Sequence, residues 1–233
     1  AFQDVTLTLH HGEVVGLAGL DGSGKDEFLM SLCGLYPPDR GEVLLDGRPI
    51  RPRKPSQAMR HGIVYLPKKR EESATIHSRS VEENILVSLY PRLRNRWGLL
   101  DLKEGRRIVR ERLRKLPVKT PSLDADVDTL SGGNRQKVMI NRLAATRPRV
   151  YLLNEPTRGV DIASKPEILR TVRDELGTTS AVLLTLESEE EMIDTCDRIL
   201  VFYRGRVVRE IRRGEPDFTV GEVYRSAQGV GVK

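Results

Sequence analysis

The chain has few aromatic residues, two cysteines and no long hydrophobic run. Aromatics are 5% of its 233 residues and are not interleaved with the basic runs, so the stacking surface of a single-strand binder is missing and no nucleic-acid partner is expected. Cys33 and Cys196 lack metal-ligand spacing and are expected to be reduced core thiols. No apolar run approaches the roughly 20 residues that span a bilayer. If the protein works at a membrane, other chains must cross it.

The net charge of +6 comes largely from short basic runs. These runs are Arg51–Lys54, Lys68–Arg70, Arg92–Arg96 and Arg106–Lys115. We interpret them as a solvated basic face near a membrane and a nucleotide. The chain begins without methionine, and Phe2–Val5 has the pattern of a strand, so we expect it to be part of a longer polypeptide.

Short aliphatic runs alternate with helical stretches along most of the chain. Buried strands are predicted at Val14–Ala18, Ile63–Leu66, Val150–Leu153, Ala181–Leu186 and Ile199–Tyr203. This alternation favours an α/β fold with a mostly parallel sheet. Antiparallel hairpins are predicted at Gly41–Gly47 and at Arg198–Ile211, the latter turning at Gly205. Helices predicted at Ser80–Leu89 and Leu102–Leu116 indicate an inserted helical subdomain, with Leu102, Val109, Leu113 and Leu116 on one face.

A glycine-rich loop lies between the first predicted strand and a predicted helix, Asp26–Leu35. It has the phosphate-loop spacing and consists of Gly19, Leu20, Asp21, Gly22, Ser23, Gly24 and Lys25. The glycines allow backbone N–H groups to surround a phosphate, the helix N-terminus adds positive potential, and Lys25 would reach the β- and γ-phosphates. The alternative, a glycine turn with a surface lysine, does not account for the strand–loop–helix context. Asp26 stands where a Ser or Thr usually ligates Mg²⁺.

Two further segments bear polar residues beside predicted elements. Val150–Thr157 is a hydrophobic strand ending in Asn154 and Glu155, and Leu130–Lys137 reads LSGGNRQK before a helical run, Val138–Ala145. Ser131, Gly132 and Gly133 at that helix start would form an anion cradle. Alone, either segment could be an ordinary turn or a capped helix.

Together these motifs resemble the ATP-binding cassettes of ABC transporters, and among them the ATPases of sugar importers. LSGGN-x-QK is similar to the sugar-importer form of the ABC signature, and residues 155–161 read EPTRGVD as in that group. Residues 118–122 (VKTPS), 62–67 (GIVYLP) and 80–85 (SVEENI) are similar as well. The resemblance covers nearly the whole chain. It is greatest to the C-terminal half of fused two-cassette ATPases for ribose, galactose or xylose.

The resemblance implies one nucleotide-binding domain of the P-loop NTPase class over residues 1–233. It has an antiparallel β subdomain and a helical subdomain at about 69–145. It further implies an ABC-type ATPase that binds ATP and Mg²⁺, with Asp161 among the nucleotide-contacting residues. The expected partners are a second cassette, a transmembrane sugar permease and, indirectly, an extracytoplasmic sugar-binding protein. The expected location is peripheral, on the cytoplasmic face of the membrane.

The chain departs from the family pattern at four positions around one nucleotide. Asp26 replaces Ser/Thr, Lys68 replaces the Q-loop Gln, Asn154 replaces the Walker-B Asp and Glu187 replaces the switch His. Lys68 has no acceptor for a metal, and an ionised Glu187 cannot donate to the γ-phosphate. We therefore expect little hydrolysis at this chain's own P-loop, while its intact signature completes the partner's site. The alternative is a non-hydrolysing regulatory nucleotide-binding module. A third hypothesis, a soluble ABC protein acting on nucleic acid, ranks last, because such proteins usually carry a long basic linker or coiled-coil insertion and the segment between Lys68 and Leu130 is too short for one.

Two accounts of the metal remain open from the sequence. The family offers the metal a hydroxyl at position 26 and a carboxylate at position 154, whereas this chain offers a carboxylate, Asp26, and an amide, Asn154. The total charge is unchanged, so Mg²⁺ could bind with Asp26 as a direct ligand. Alternatively, the Lys68 ammonium could pair with Asp26 or partly replace Mg²⁺ against the phosphates. Lys68, Glu155 and Glu187 are the candidate catalytic positions, and the resemblance implies that Glu155 is the Glu that polarises the attacking water. Asp26 and Asn154 are the candidate metal ligands.

Overall fold

A six-stranded sheet forms the centre of the computed structural model, which describes residues 2–68 and 75–231. Its strand order is β4-β5-β6-β1-β7-β8. The strands are β1 (Val14–Ala18), β4 (Ile63–Leu66), β5 (Val150–Asn154), β6 (Ala181–Thr185), β7 (Arg198–Tyr203) and β8 (Arg206–Arg212). Their pairings are parallel except β7 with β8. Every residue of β1 and of β6 is buried, as expected for parallel strands covered on both faces.

The five predicted buried strands and the Arg198–Ile211 hairpin are present within a residue or two of the expected bounds. The hairpin predicted at Gly41–Gly47 is also present, but its second strand extends beyond that range, to Ile50. The first hairpin is a separate two-stranded sheet of β2 (Val43–Leu45) and β3 (Arg48–Ile50). The prediction of a strand at Phe2–Val5 is wrong, since residues 2–10 contain no strand. The Phe2 ring instead packs edge-on against Phe28, with centroids 5.3 Å apart.

Helices cover both faces of the sheet and form the inserted segment. They are α1 (Lys25–Leu32), α2 (Pro55–Arg60), α3 (Val81–Leu86), α4 (Tyr90–Leu93), α5 (Leu102–Lys115), α6 (Gly132–Ala145), α7 (Lys165–Thr171), α8 (Gly177–Thr179), α9 (Glu189–Thr195) and α10 (Val220–Ala227). A 3₁₀ turn, Val87–Leu89, joins α3 to α4, and a π-helical turn, Val172–Leu176, joins α7 to α8. The helix predicted at Asp26–Leu35 ends earlier, because Gly34 has a positive φ of 80°.

Residues 81–130 pack around a core of their own, as a helical insertion should. Ile85, Leu89 and Val109 are buried in this cluster, and Ser80 with Glu83 forms a capping box at the start of α3. Of the leucines and valine predicted to share one face of α5, Val109 and Leu116 are buried, whereas Leu102 at the start of the helix is 57% exposed. Residues 69–74 of the predicted subdomain lie outside the described residues.

Helix α6 belongs to two cores at once. Val138 and Ala145 are buried in the helical cluster, whereas Met139, Ile140 and Ala144 are buried against the sheet. The 14-residue helix is therefore the packed link between the insertion and the sheet.

Candidate nucleotide site

The candidate residues converge because parallel strands end at the same edge of a sheet. The glycine-rich loop follows β1 and Lys68 follows β4. Asn154 is the last residue of β5, Glu155 comes directly after it, and Glu187 follows β6. The carboxyl edge of such a sheet is where open α/β folds bind ligands.

The loop after β1 has the backbone needed to surround an anion. Gly19, Gly22 and Gly24 have φ values of 143°, 79° and 98°, which residues with a Cβ rarely adopt. A Cβ on Gly19 would lie 2.6 Å from the Phe202 carbonyl oxygen, so this glycine also allows close packing against β7. The Lys25 ammonium donates to the Gly19 carbonyl at 2.7 Å. The Lys25 ammonium is thus held against the loop, in position to contact phosphates bound at the N-terminus of α1.

Lys68 lies at the centre of the site, among three carboxylates. Its ammonium is 2.6 Å from Glu155 Oε1, 3.4 Å from Asp21 Oδ1 and 3.6 Å from Asp26 Oδ2. Burial lowers the pKa of Lys68, but the hydrogen bond to Glu155 and the charges of Asp26 and Glu155 outweigh it and raise that pKa above its ordinary value. The Lys68 charge in turn holds the pKa of Asp21 below its usual range.

Glu155 is buried and bound by two cations. Its side chain is 6% exposed, and its second oxygen accepts from Arg158 at 3.1 Å. The backbone of Glu155 has a φ of +48°, a left-handed conformation that costs energy in a non-glycine residue. Hydrogen bonds from Glu155 N to the Thr185 hydroxyl and carbonyl oxygens, at 3.1 and 3.2 Å, help to hold it there.

Asn154 is turned toward its neighbours in the sheet. Its amide oxygen accepts from the Thr185 hydroxyl at 2.9 Å, and its nitrogen lies 3.5 Å from the Tyr65 hydroxyl. Burial raises the pKa of Tyr65 to about 12, even though the Asn154 hydrogen bond acts in the opposite direction. Tyr65 therefore stays a neutral partner of this amide at physiological pH.

The arrangement does not fit a magnesium ion held by Asp26 and Asn154. Mg²⁺ requires oxygen ligands turned toward it at about 2.1 Å, whereas the Asn154 oxygen is bonded to Thr185. The Lys68 ammonium lies in contact with both Asp26 and Glu155. Within residues 2–68 and 75–231, no cluster of three or more His, Cys, Asp or Glu side chains is placed to hold a metal. Of the two accounts left open by the sequence, the geometry favours the lysine.

Glu187, the candidate at the switch position, lies at the rim of the site. Its side chain is 52% exposed, with Oε1 3.9 Å from Arg158 Nε. Arg158 therefore lies between Glu155 and Glu187.

The signature residues form a second group around the N-terminus of α6. Ser131 caps this helix, and its hydroxyl accepts from the Asn134 side chain at 2.9 Å. A Cβ on Gly133 would lie 2.8 Å from Asp161 Oδ2, and one on Gly132 would lie 3.1 Å from the Gly159 carbonyl. Hydrogen bonds from Ser164 hold the pKa of Asp161 below its usual range. The cradle and Asp161 are thus packed together, with Ser131 exposed at the surface.

The structure adds contacts that sequence reasoning missed. Arg158, Tyr65, Thr185 and Asn134 touch the candidate residues directly. Arg158 follows Glu155 by three positions, so its charge could have drawn attention. Tyr65 and Thr185 lie on strands paired with β5, and only the strand order reveals them.

Comparison with known proteins agrees with the fold and the motifs. A family model described as "ABC transporter" matches residues 2–158. A putative ribose/galactose/methyl galactoside import ATP-binding protein of Pseudomonas fluorescens is 38% identical over 98% of this chain and 44% of its own length. The ribose import ATP-binding protein RbsA 2 of Rhizobium meliloti is 38% identical over 99% of this chain and 44% of its own length. The chain thus spans less than half of these relatives.

Solved structures show the same fold. The dimeric post-hydrolysis state of an ATP-binding cassette bound to ADP and Pi aligns with a TM-score of 0.77 at 24% identity, covering 92% of this chain and 91% of that one. The dimeric structure of a bacterial ABC transporter cassette aligns with a TM-score of 0.76 at 25% identity, covering 92% and 91%. Among the described residues, no helix is both long and apolar enough to cross a membrane.

Proposed function

The chain belongs to the ABC transporter family, and from that premise we propose that it is the ATP-binding component of a sugar importer. Its role is to couple ATP binding and hydrolysis to sugar uptake through a membrane permease. The names of the relatives from Pseudomonas fluorescens and Rhizobium meliloti support ribose or galactose import.

Within this importer, the chain serves as the C-terminal cassette of a fused pair. Its match to 44% of the length of each relative leaves room for a second cassette. The partners are that cassette, a transmembrane sugar permease and, indirectly, an extracytoplasmic sugar-binding protein, with the domain bound peripherally at the cytoplasmic face of the membrane. Mg²⁺ accompanies the nucleotide on the partner's phosphate loop.

The two nucleotide sites of such a pair are unequal. The single observation that carries this proposal is the contrast between the two groups of residues in this chain. The signature group keeps an exposed helix N-terminus capped by Ser131, a suitable cradle for a γ-phosphate. In the phosphate-loop group, Glu155 is bound by Lys68 and Arg158 and is poorly placed to activate a water. The chain therefore completes the partner's hydrolytic site and has low activity in its own.

A regulatory, non-hydrolysing role is the second candidate. It is favoured by the same Lys68–Glu155 contact of 2.6 Å, because a site that binds nucleotide without cleaving it can report occupancy to its partner. The two candidates differ in whether the signature of this chain is needed for turnover.

Ser131→Arg tests the proposal in the reconstituted transporter. The long charged side chain would fill the cradle that faces the partner's γ-phosphate, so ATP turnover should fall at least tenfold. Thr219→Arg is the matched control, because Thr219 caps α10 as Ser131 caps α6 and losing either cap costs about 1 kcal/mol of stability. Unchanged turnover in Ser131→Arg would refute the shared site and favour the regulatory role.

A further inference from the structure

The position of Lys68 suggests how this phosphate loop neutralises a nucleotide. Its ammonium bridges Asp26, on the first turn of α1, and Glu155, at the end of β5. Those are the two elements between which P-loop ATPases hold their metal ion. Because the lysine side chain is 21% exposed, the ammonium is partly shielded from water, and its interactions are stronger than those of a surface charge.

A polar atom beside the ammonium has no partner in the described part of the chain. Asp26 Oδ1 is buried without a hydrogen bond, while Oδ2 faces Lys68 at 3.6 Å. The neighbouring Ser23 Oγ is buried without a partner as well. Unsatisfied buried polar atoms are costly. The Ser23 hydroxyl can donate to a phosphate oxygen, whereas the Asp26 carboxylate only accepts and is compensated by the charge of Lys68, 3.6 Å from its other oxygen.

The charges of the inner site balance without a metal. Lys25 and Lys68 contribute two positive charges, and Asp26 and Glu155 contribute two negative ones. Neutral Asn154 adds nothing to this sum, so positions 25, 26, 68, 154 and 155 together are neutral in this chain. In the family pattern, a hydroxyl, Gln and Asp stand at positions 26, 68 and 154, and the same five positions sum to −1. That arrangement needs a divalent cation before a triphosphate can approach.

We propose that the Lys68 ammonium is the resident cation of this site, so that the phosphate loop binds a nucleoside triphosphate without a divalent metal. This inference rests on the proposed function in one respect, that the loop binds a nucleotide. On binding, Lys68 stays near Asp26 and turns from Glu155 toward the phosphates. Arg158, 3.1 Å from Glu155, remains as the cation that neutralises the carboxylate Lys68 has left.

A magnesium ion and the lysine exclude each other from this place. An ammonium and a divalent cation about 4 Å apart repel each other strongly in a site that is partly shielded from water. Mg²⁺ could bind here only by displacing the ammonium from Asp26, so added metal gains little affinity.

The test is the dissociation constant of ATP for the purified chain, measured by isothermal titration calorimetry in EDTA and in Mg²⁺. The wild type should show constants within threefold of each other. Lys68→Gln should bind at least tenfold more weakly in EDTA and recover in Mg²⁺, because the carboxylates then need another cation. Lys68→Arg should keep metal-independent binding, since the charge is retained.

Two further variants sharpen the result. Lys165→Gln removes a lysine of similar exposure, 25%, paired with Glu191 at 3.0 Å, and should leave both constants unchanged. Asp26→Ser should tighten binding in EDTA, because Lys68 keeps its charge without a competing carboxylate on α1.

A wild-type affinity that falls tenfold or more in EDTA would overturn the inference, as would Lys68→Gln binding normally in EDTA. Absence of ATP binding under both conditions would overturn it too. The shared signature site would be unaffected by that result, since the turnover of Ser131→Arg tests it separately.

Discussion

Glu155→Gln provides the sharpest test of whether this chain's own site hydrolyses ATP. The substitution keeps the size of the side chain and removes the charge that binds Lys68 at 2.6 Å and Arg158 at 3.1 Å. A carboxylate that activates water must be available to accept a proton, and such general bases contribute about 10²- to 10⁴-fold to a rate.

The magnitude follows from the two ion pairs. A unit pair at about 4 Å is worth on the order of 4 kcal/mol at an effective dielectric constant of 20. With nucleotide bound, Arg158 is the cation that stays on Glu155. Withdrawing it opposes catalysis by up to about 10³-fold, since each 1.36 kcal/mol is a factor of ten. Hydrolysis at this chain's own phosphate loop is therefore already slow in the wild type and adds little to the total turnover. Glu155→Gln should change the turnover of the reconstituted transporter by less than about twofold.

Steady-state phosphate release by the reconstituted transporter is the assay. Glu167→Gln is the matched control, because Glu167 on α7 also pairs with a lysine, Lys137 on α6, at 2.5 Å. The same substitution at the equivalent glutamate of the partner cassette should abolish turnover. A hundredfold loss with Glu155→Gln would refute the asymmetry of the two sites.

Two further predictions concern stability and reactivity. Glu175→Gln should lower the free energy of unfolding in urea by about 2 kcal/mol, because it leaves the buried Arg112 without its carboxylate partner; the exposed Glu111→Gln should change it little. Burial alone would raise the pKa of Glu175, but the hydrogen bond and charge of Arg112 outweigh burial and lower that pKa in the folded chain. The stabilisation from this ion pair is therefore fully present above the pKa of the unfolded chain, near 4.5, and is lost as the pH falls through the lower pKa of the folded chain. A pH-independent difference between Glu175→Gln and wild type in the acid range would contradict this. Burial raises the pKa of Cys33 to about 11 and raises that of Cys196 further, so neither thiol should react with iodoacetamide at pH 8 until the chain unfolds; rapid labelling of the native chain would contradict the packing.

Much of the fold could be predicted from short stretches of the sequence. The short apolar runs at Val14–Ala18 and Ile63–Leu66 are strands with those bounds, because an apolar run without polar alternation is stable as a strand only when both faces are covered. The glycine-rich loop was equally predictable, since Gly22 and Gly24 adopt positive φ values that few other residues tolerate.

The direction of charged side chains was not predictable in the same way. Lys68 could be placed at the site by its position, but its contact with Glu155 depends on β4 and β5 being neighbours in the sheet. Arg158 was missed because its side chain folds back onto a residue held in a left-handed conformation. Long-range packing, which periodicity does not encode, also leaves Leu102 exposed.

The two-sided packing of α6 constrains how the helical insertion can move. A packed interface has a few discrete arrangements and does not deform smoothly. If the insertion turns as a unit, α6 must slip over the sheet along Met139, Ile140 and Ala144, and Ser131 at its tip must swing with it. The anion cradle is therefore mechanically tied to the whole insertion, and a rotation of that unit displaces the N-terminal end of α6, where Ser131 lies.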